Sequence, residues 1–149
     1  MLLQLRGILT DETDPVANMA NMSAVIFQQL PQLNWAGFYV RRGEQLVLGP
    51  FQGKPACVRI AWGRGVCGTA AQTAQTQVVP DVHAFAGHIA CDGASQSEIV
   101  IPVIVAGKVW GVLDIDSPVL ARFDDTDEMY LERAVEEFIA RTDFNAPIA

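Results

Sequence analysis

Apolar residues recur at helical spacing in two segments of the chain, and this pattern predicts helices over residues 15–30 and 125–141. The apolar stripes consist of Met19, Met22, Ile26 and Leu30 in the first segment and of Leu131, Val135, Phe138 and Ile139 in the second. Asp14 is placed to cap the first helix, and Pro15 suits its first turn, where a missing N–H costs no hydrogen bond. Asp125-Thr-Asp-Glu128 predicts a capping box for the second helix.

Elsewhere the apolar runs are shorter, and two pairs of them predict β-hairpins. The first pair joins residues 35–40 to residues 45–48. The second and clearer pair joins residues 99–105 to residues 109–115 through a turn at Gly107, because glycine supplies the positive φ that a tight turn requires. Two hairpins of this kind predict a mainly antiparallel sheet.

The middle of the chain contains weaker signals. Residues 57–62 and 78–79 are candidates for short strands, and a run of Ala, Gln and Thr predicts a helix that starts near Gly68 and ends before Gln77. Residues 81–97 are polar, small and without a period. Loops of this length in a small domain are usually functional or disordered.

Length, composition and element order together predict one α+β domain. The 149 residues match one typical domain of roughly 150 residues. Half of the residues are hydrophobic and only 18% are charged, which excludes a disordered chain. We therefore expect a single domain over residues 1–149, with a mainly antiparallel central sheet flanked by N- and C-terminal helices. We expect residues 1–14 to form a peripheral segment.

The charge balance excludes several classes of partner. Ten Lys and Arg against 17 Asp and Glu give a net charge of −7, so we expect neither nucleic acid nor an anionic membrane as a partner. The longest apolar stretch, residues 99–107, is too short for a membrane span of about 20 residues. The N-terminus lacks the apolar core of a signal peptide. We therefore expect a cytoplasmic protein.

Acidic residues lie inside the last predicted strand, where they are unusual. Strand alternation places Trp110, Val112, Asp114 and Asp116 on one face. Pairing around the hairpin turn brings Glu98 close to Asp116. Such neighbours raise each other's pKa, and they suit a proton donor, a cationic ligand group or a metal. The alternative is that the strand simply ends in solvent there.

A second candidate feature lies in the first strand, where Trp35, Gly37 and Tyr39 share a face. A glycine between two aromatic residues leaves a slot that a small ligand can occupy. The alternative is that two core aromatic side chains flank a close packing contact.

The three cysteines, Cys57, Cys67 and Cys91, are too few and too scattered for a disulfide scaffold. Cys91 lies among small residues that bury it poorly, so we expect it to be accessible. A nearby His88 favours its thiolate, whereas the acidic neighbour Asp92 opposes it. Cys57 and Cys67 have an alternative interpretation as ordinary core residues.

A metal site is a further alternative for this region. His83, His88 and Cys91 carry suitable ligand atoms, but their spacing fits no common zinc pattern. We therefore expect no metal site.

Several sequence segments, taken in their order along the chain, resemble the free methionine-(R)-sulfoxide reductase family, whose members are built on a GAF domain. They include Asn34-Trp-Ala-Gly-Phe-Tyr39, Ala56-Cys-Val-Arg-Ile60, Gly63-Arg-Gly-Val-Cys-Gly-Thr69, Gly87-His-Ile-Ala-Cys-Asp92, Ser97-Glu98 and Gly111-Val-Leu-Asp-Ile-Asp-Ser117. The resemblance extends from about residue 15 to residue 144. It implies a GAF fold and reduction of free L-methionine (R)-sulfoxide to methionine.

The resemblance also implies roles for single residues. Cys91 matches the nucleophile, Cys57 the resolving cysteine and Cys67 an auxiliary thiol. The substrate-binding positions of the family match Trp35, Tyr39, Glu98, Asp114 and Asp116. A sulfenic acid on the nucleophile would condense to an intramolecular disulfide, which thioredoxin or another dithiol would reduce, with no cofactor. Family members often pair, so the resemblance also allows a homodimer.

Two other function classes remain open at this point. A non-catalytic GAF module that senses a small molecule would bind a ligand tightly without turning it over. A metal-binding protein would retain metal through purification. The three cysteines favour the enzyme, because a sensor has no use for them.

Overall fold

The structure, a computed structural model, describes residues 1–89 and 91–146. Residue 90, in the predicted loop, and the last three residues of the predicted domain lie outside the described residues. The elements are α1 (Leu2–Leu9), α2 (Pro15–Gln29), β1 (Trp35–Arg42), β2 (Gln45–Gly53), β3 (Arg59–Ala61), α3 (Gly65–Thr73), β4 (Gln77–Val79), a 3₁₀ turn (Val82–Ala84), β5 (Ser97–Val105), β6 (Lys108–Ser117) and α4 (Asp125–Arg141).

The strands form one six-stranded antiparallel sheet in the order β3-β2-β1-β6-β5-β4. Both predicted hairpins are present, and the second pairs Glu98 with Asp116 as expected. The predicted α+β class with a mainly antiparallel sheet and flanking helices is confirmed. Across the two described ranges, no helix combines the length and apolar character needed to cross a bilayer.

Two cores cover the two faces of this sheet. Helices α1, α2 and α4 pack on one face around Phe38 and Phe138. Helix α3 packs on the other face, together with Tyr39 and Val112. Because neighbouring strand residues point to opposite faces, Phe38 and Tyr39 belong to different cores. The second core contains the candidate site.

Helix α2 begins as predicted, whereas the capping box of α4 lies one residue earlier than predicted. Asp14 accepts a hydrogen bond from the Ala17 amide at 2.9 Å. In α4 the reciprocal pair is Asp124 and Asp127, which accept each other's backbone N–H at 2.9 Å, rather than a box over residues 125–128. Asp124 has an extended backbone, so it is the cap and not part of the first turn.

The N-terminal segment is more integrated than its expected peripheral position. Residues 2–9 form a helix whose Leu5 and Leu9 are fully buried, and Leu5 belongs to the core beneath α4. An ion pair of 2.7 Å between Arg6 and Glu137 joins the two helices. Eight residues are too few for a helical period to stand out in the sequence, so only packing reveals the helix.

Helix α3 lies three residues earlier than the sequence indicated, because Gly65 and not Gly68 begins it. A Cβ on Gly68 would approach the Ala61 carbonyl oxygen to 2.7 Å, so this glycine permits close packing of α3 against β3. The helix ends at Thr73, and the next residue, Ala74, adopts the left-handed conformation with φ of 54°. The expected short strand after it is present as β4.

A β-bulge changes the expected face of Trp110. Val103 pairs with Gly111 and the next residue pairs with Val109, so Trp110 is an extra residue in β6. Its side chain therefore packs on the helical side, with ring centroids 6.0 Å from Phe138. Trp110 does not share a face with Asp114, and the prediction that it does was wrong.

Candidate active site

A pocket opens on the second core, between the ends of β1 and β6, the start of α3 and the loop after β4. Of the eight residues to which the family resemblance assigns roles, seven line it: Trp35, Tyr39, Cys67, Cys91, Glu98, Asp114 and Asp116. The eighth, Cys57, is bonded to one of them. Residues that are distant in the sequence, from the start of β1 to the end of β6, therefore meet in one cavity.

Three carboxyl groups converge at the end of the β5–β6 hairpin. Glu98 in β5 lies opposite Asp116 in β6. Asp114 precedes Asp116 by two residues, so its side chain lies on the same face of the sheet. Only 7% of Glu98 and 6% of Asp114 is exposed. Within the described ranges, Oδ1 of Asp114 and Oδ1 of Asp116 have no hydrogen-bond partner. We refer to Glu98, Asp114 and Asp116 as the acidic trio.

Because the acidic trio is buried, the state in which all three carboxyl groups are ionised is energetically unfavourable. Burial raises the pKa of Glu98 and of Asp116 well above their ordinary values, and the negative charge of Asp114 raises both further. Burial also raises the pKa of Asp114, although interactions with the two neighbouring carboxyl groups partly offset this effect. Glu98 and Asp116 are therefore the groups best suited to keep a proton near neutral pH.

Cys67 is the free thiol among the described residues and lies beside the acidic trio. It is buried in the first turns of α3, with its Sγ 4.0 Å from Oε1 of Glu98. Burial and the charges of Asp114 and Glu98 raise its pKa well above the ordinary value. Cys67 is thus held as a neutral thiol rather than as a thiolate nucleophile.

A disulfide joins Cys57 to Cys91, with their Cα atoms 5.6 Å apart. Both residues are partly buried, so the bond lies near the surface of the pocket. The Tyr39 hydroxyl donates a 2.8 Å hydrogen bond to the Cys57 carbonyl oxygen, which ties this segment to β1. Cys57 is therefore not an ordinary core residue.

The aromatic side chains form a stacked wall, but the expected slot between them is filled. Trp35 stacks on Phe51 at 5.2 Å and lies 5.9 Å from Tyr39. A Cβ on Gly37 would lie 2.3 Å from the Cβ of Phe51, so Phe51 occupies the space beside the glycine. The sequence missed Phe51 because β2 extends to Gly53, well past its expected end.

Polar residues that the sequence did not indicate connect the trio to the loop after β4. Nδ2 of Asn34 donates hydrogen bonds of 3.0 Å to Asp92 and to Ser95, and the Ser95 hydroxyl donates to Oδ2 of Asp116 at 3.2 Å. These residues hold the segment next to Cys91 against the acidic trio. No local pattern could reveal this chain, because Asn34 and Ser95 are 61 positions apart.

The alternative metal set does not converge in the structure. The rings of His83 and His88 lie 6.2 Å apart, and the Cys91 sulfur is bonded to Cys57 and offers no thiolate. In the described ranges, three possible ligand atoms do lie within 4.8 Å of one another, and they are the sulfur of Cys67 and one carboxyl oxygen each of Glu98 and Asp114. Burial raises the pKa values of Cys67 and Glu98 well above their ordinary values, so these two groups suit proton transfer.

This arrangement combines a disulfide with buried acids beside an aromatic wall. A sulfur nucleophile and a proton donor in one pocket can reduce a small substrate whose oxygen must be protonated as it leaves. The anionic member of the trio can also bind a cationic group on that substrate.

Comparisons with known proteins agree with this chemistry. Residues 4–141 match the GAF domain family. The chain is 60% identical to Protein YtsP of Bacillus subtilis over 138 residues, covering 91% of this chain and 85% of that protein. It is 54% identical to the free methionine-R-sulfoxide reductase of Escherichia coli over 141 residues, covering 93% of this chain and 86% of that protein.

A solved structure extends this comparison to the fold. The free methionine-R-sulfoxide reductase of Neisseria meningitidis, solved in complex with its substrate, superposes with a TM-score of 0.91 at 47% identity. The superposition covers 94% of this chain and 84% of that one.

Proposed function

This chain belongs to the GAF domain family and, within it, to the free methionine-R-sulfoxide reductases, and from that premise we propose that it reduces free L-methionine (R)-sulfoxide to L-methionine. The observation that carries the proposal is the meeting of the Cys57–Cys91 disulfide with the acidic trio in one pocket. A pocket that only sensed a ligand would need no sulfur pair.

The first step transfers oxygen from the substrate to Cys91. A sulfoxide sulfur becomes electrophilic when its oxygen accepts a proton, and a neutral Glu98 or Asp116 can supply that proton. The Cys91 thiolate then attacks the substrate sulfur, methionine leaves, and Cys91 becomes a sulfenic acid. The substrate sulfur gains two electrons and the cysteine sulfur loses two.

The second step closes the disulfide, which is the state of Cys57 and Cys91 in this structure. The Cys57 thiol attacks the sulfenic sulfur, and the oxygen leaves as water. Thioredoxin or another dithiol then reduces the disulfide and returns both thiols, so the cycle needs no cofactor. Such a cycle requires reducing surroundings, and we propose the cytoplasm as its location.

Recognition of the free amino acid follows from the charges of the pocket. Free methionine sulfoxide carries an α-ammonium group, which the carboxylate of Asp114 attracts, whereas a peptide-bound residue lacks that charge. A charged hydrogen bond contributes about 1.5–3 kcal/mol, enough for a preference of one to two orders of magnitude. Trp35 and Tyr39 line the same pocket, and we propose that they contact the methyl end of the substrate side chain.

Cys67 has a supporting role in this proposal. Its thiol is next to Glu98 and is held neutral, so it adds a polar contact to the trio without competing as a nucleophile. We propose that Cys67 is an auxiliary thiol that supports the acidic trio and takes no part in the disulfide exchange.

The direct test measures methionine release by the reduced protein. L-Methionine (R)-sulfoxide, its (S) epimer and N-acetylated (R) substrate are compared with dithiothreitol as reductant. We expect turnover of the free (R) epimer and a kcat/KM at least about tenfold lower for the N-acetylated compound, which has lost one charged hydrogen bond. Binding of the (R) epimer without any methionine release would overturn the proposal in favour of a sensory module.

Replacing Cys57 with serine is expected to separate chemistry from recycling. Cys91 can still attack the substrate, so each Cys57→Ser molecule should release one methionine at the normal rate. Later turnovers with thioredoxin should be slow, because no disulfide with Cys57 can form. Rapid-quench measurement of the first turnover beside steady-state rates checks this. Normal steady-state turnover with thioredoxin would instead assign the resolving role to Cys67.

A further inference from the structure

We propose that Cys67, Glu98 and Asp114 form a binding site for a thiophilic divalent cation of the zinc type, which occupies the pocket as an inhibitor and not as a cofactor. The three residues line the pocket from α3, β5 and β6. Their sulfur and two carboxyl oxygens lie within 4.8 Å of one another, and all three residues are buried. We refer to them as the thiol–acid cluster. The histidine set that the sequence suggested shares none of these residues.

The spacing of the thiol–acid cluster is close to that of a zinc coordination sphere. Zinc binds sulfur at about 2.3 Å and carboxylate oxygen at about 2.0–2.2 Å in a tetrahedron, so a sulfur and an oxygen ligand of one ion lie about 3.6 Å apart. In this structure the Sγ of Cys67 and the Oε1 of Glu98 are 4.0 Å apart. A side-chain shift of about 0.4 Å therefore brings this pair to ligand spacing.

A carboxyl oxygen of the thiol–acid cluster lacks a partner within the protein. Asp114 is 6% exposed, and in the described ranges its Oδ1 forms no hydrogen bond. A buried polar atom of this kind costs free energy unless a ligand supplies the missing contact. Because a carboxylate oxygen accepts and does not donate, the ligand that completes it is a cation or a hydrogen-bond donor.

The negative charge of the thiol–acid cluster is not balanced by a basic side chain. Across residues 1–89 and 91–146, no ion pair includes a member of the acidic trio. Burial without a counter-charge raises the pKa of Glu98 and Asp114, so protons supply the neutrality that a cation would otherwise provide. A divalent ion replaces those protons and the thiol proton when it binds.

The sulfur atom in the donor set selects the class of ion. Magnesium and calcium prefer six or more oxygen ligands, whereas a thiolate favours zinc and other soft ions. Three protein ligands leave the fourth tetrahedral position to water. The cavity has a volume of about 50 Å³, and about 10–15 Å³ of such space admits one water molecule, so an ion and its water fit.

The thiol–acid cluster is present while the disulfide is closed. Two of the three cysteines form the Cys57–Cys91 bond, and Cys67 keeps the remaining thiol. The metal site can therefore be studied in the oxidised protein, in which a thiolate ligand can come only from Cys67.

A cation in the thiol–acid cluster excludes the substrate, because it occupies the carboxyl groups assigned to proton transfer and to the ammonium group. This consequence rests on the proposed function, whereas binding of the metal does not. Zn²⁺ should therefore slow the first turnover of reduced wild type, freed of reductant, more than that of Cys67→Ser. Equal slowing of the two proteins would overturn this consequence.

The test of the site titrates Cd²⁺, a spectroscopic substitute for Zn²⁺, into the disulfide form of the protein. A sulfur-to-cadmium charge-transfer band in the ultraviolet reports on Cys67 alone. We expect one cadmium ion per chain, displacement by Zn²⁺ and no displacement by excess Mg²⁺. Cys67→Ser should show no band. Glu98→Gln and Asp114→Asn should each weaken cadmium binding on the order of a hundredfold, because each removes one ligand.

The matched control is Asp92→Asn, which removes the same charge from a residue that lines the same pocket outside the thiol–acid cluster. Its affinity for cadmium should stay within about fivefold of wild type, with folding of every variant checked by circular dichroism. Three results would overturn the proposal: no band in wild type, displacement of Cd²⁺ by Mg²⁺, or equal weakening by Asp92→Asn and Asp114→Asn. Because the titration contains no methionine sulfoxide, it and the methionine assay fail separately.

Discussion

Replacing Cys91 with serine is expected to abolish reduction of free L-methionine (R)-sulfoxide with every reductant, lowering kcat by at least about a thousandfold. A serine hydroxyl is almost entirely protonated near neutral pH, and it cannot pass through a sulfenic acid. The other two cysteines are poorly placed to substitute. Cys57 does not line the pocket, and Cys67 is buried with its pKa raised well above the ordinary value.

The control for this variant is Cys67→Ser, which removes a thiol from the same pocket. That variant should keep the disulfide and most of the first-turnover rate. Both proteins should unfold at similar temperatures under reducing conditions, where wild type also lacks the Cys57–Cys91 bond. Methionine release by Cys91→Ser at a rate approaching that of wild type would show that another group is the nucleophile.

Neutralising the acidic trio is expected to have the second largest effect. Asp114→Asn and Glu98→Gln should each lower kcat/KM on the order of a hundredfold or more, because one removes a charge that binds the substrate ammonium and the other removes a proton donor. Kinetics with the free (R) epimer, followed across pH, measure this. In wild type, activity should fall on the alkaline side as Glu98 and Asp116 lose their protons.

The Glu98→Gln substitution is also expected to stabilise the fold. The folded-state pKa of Glu98 lies well above its ordinary value of 4.5, so the folded protein binds more protons than the unfolded chain between those two pH values. Stability therefore falls as pH rises through that window. The amide of the variant does not titrate, so Glu98→Gln should be more stable than wild type near neutral pH and similar to it below the ordinary pKa of the glutamate.

Denaturant unfolding of Glu98→Gln and wild type, near neutral pH and again below the ordinary pKa of glutamate, checks the sign of this effect. Glu136→Gln is the matched control, because Glu136 is an exposed glutamate of α4 that lies outside the pocket. Glu136→Gln should change neither the activity nor the pH dependence of the free energy of unfolding by much. A loss of stability in Glu98→Gln that paralleled the loss of activity would mean that Glu98 supports the fold rather than the reaction.

Local patterns predicted those parts of the fold that local interactions control. The short turn at Gly107 pairs Val105 with Lys108 and so fixes the hairpin, and the extra residue Trp110 then shifts the register by one, which brings Glu98 opposite Asp116 rather than Ile115. Strand alternation then placed Asp114 on the same face. The N-terminal cap of α2 was also predictable from the local sequence, because Asp14 accepts a hydrogen bond from an amide only three residues away.

The missed features depend on neighbours that are distant in the sequence. The bulge at Trp110 accompanies packing against Phe138 and Phe144, and strand alternation alone assigned it to the wrong face. Phe51 fills the space beside Gly37 only because β2 continues beyond its apolar run. Such contacts leave no periodic trace in the chain.

The sequence by itself determined the fold class, the hairpin that carries the acidic trio and the residue types available for chemistry. Through its resemblance to a family, it also indicated which cysteines to consider. Only the tertiary structure decided that the acids are buried together, which raises their pKa values, and that Asn34 and Ser95 connect them to the segment next to Cys91. The physical reason is that pKa values depend on burial and on distances through space, whereas sequence patterns report only distances along the chain.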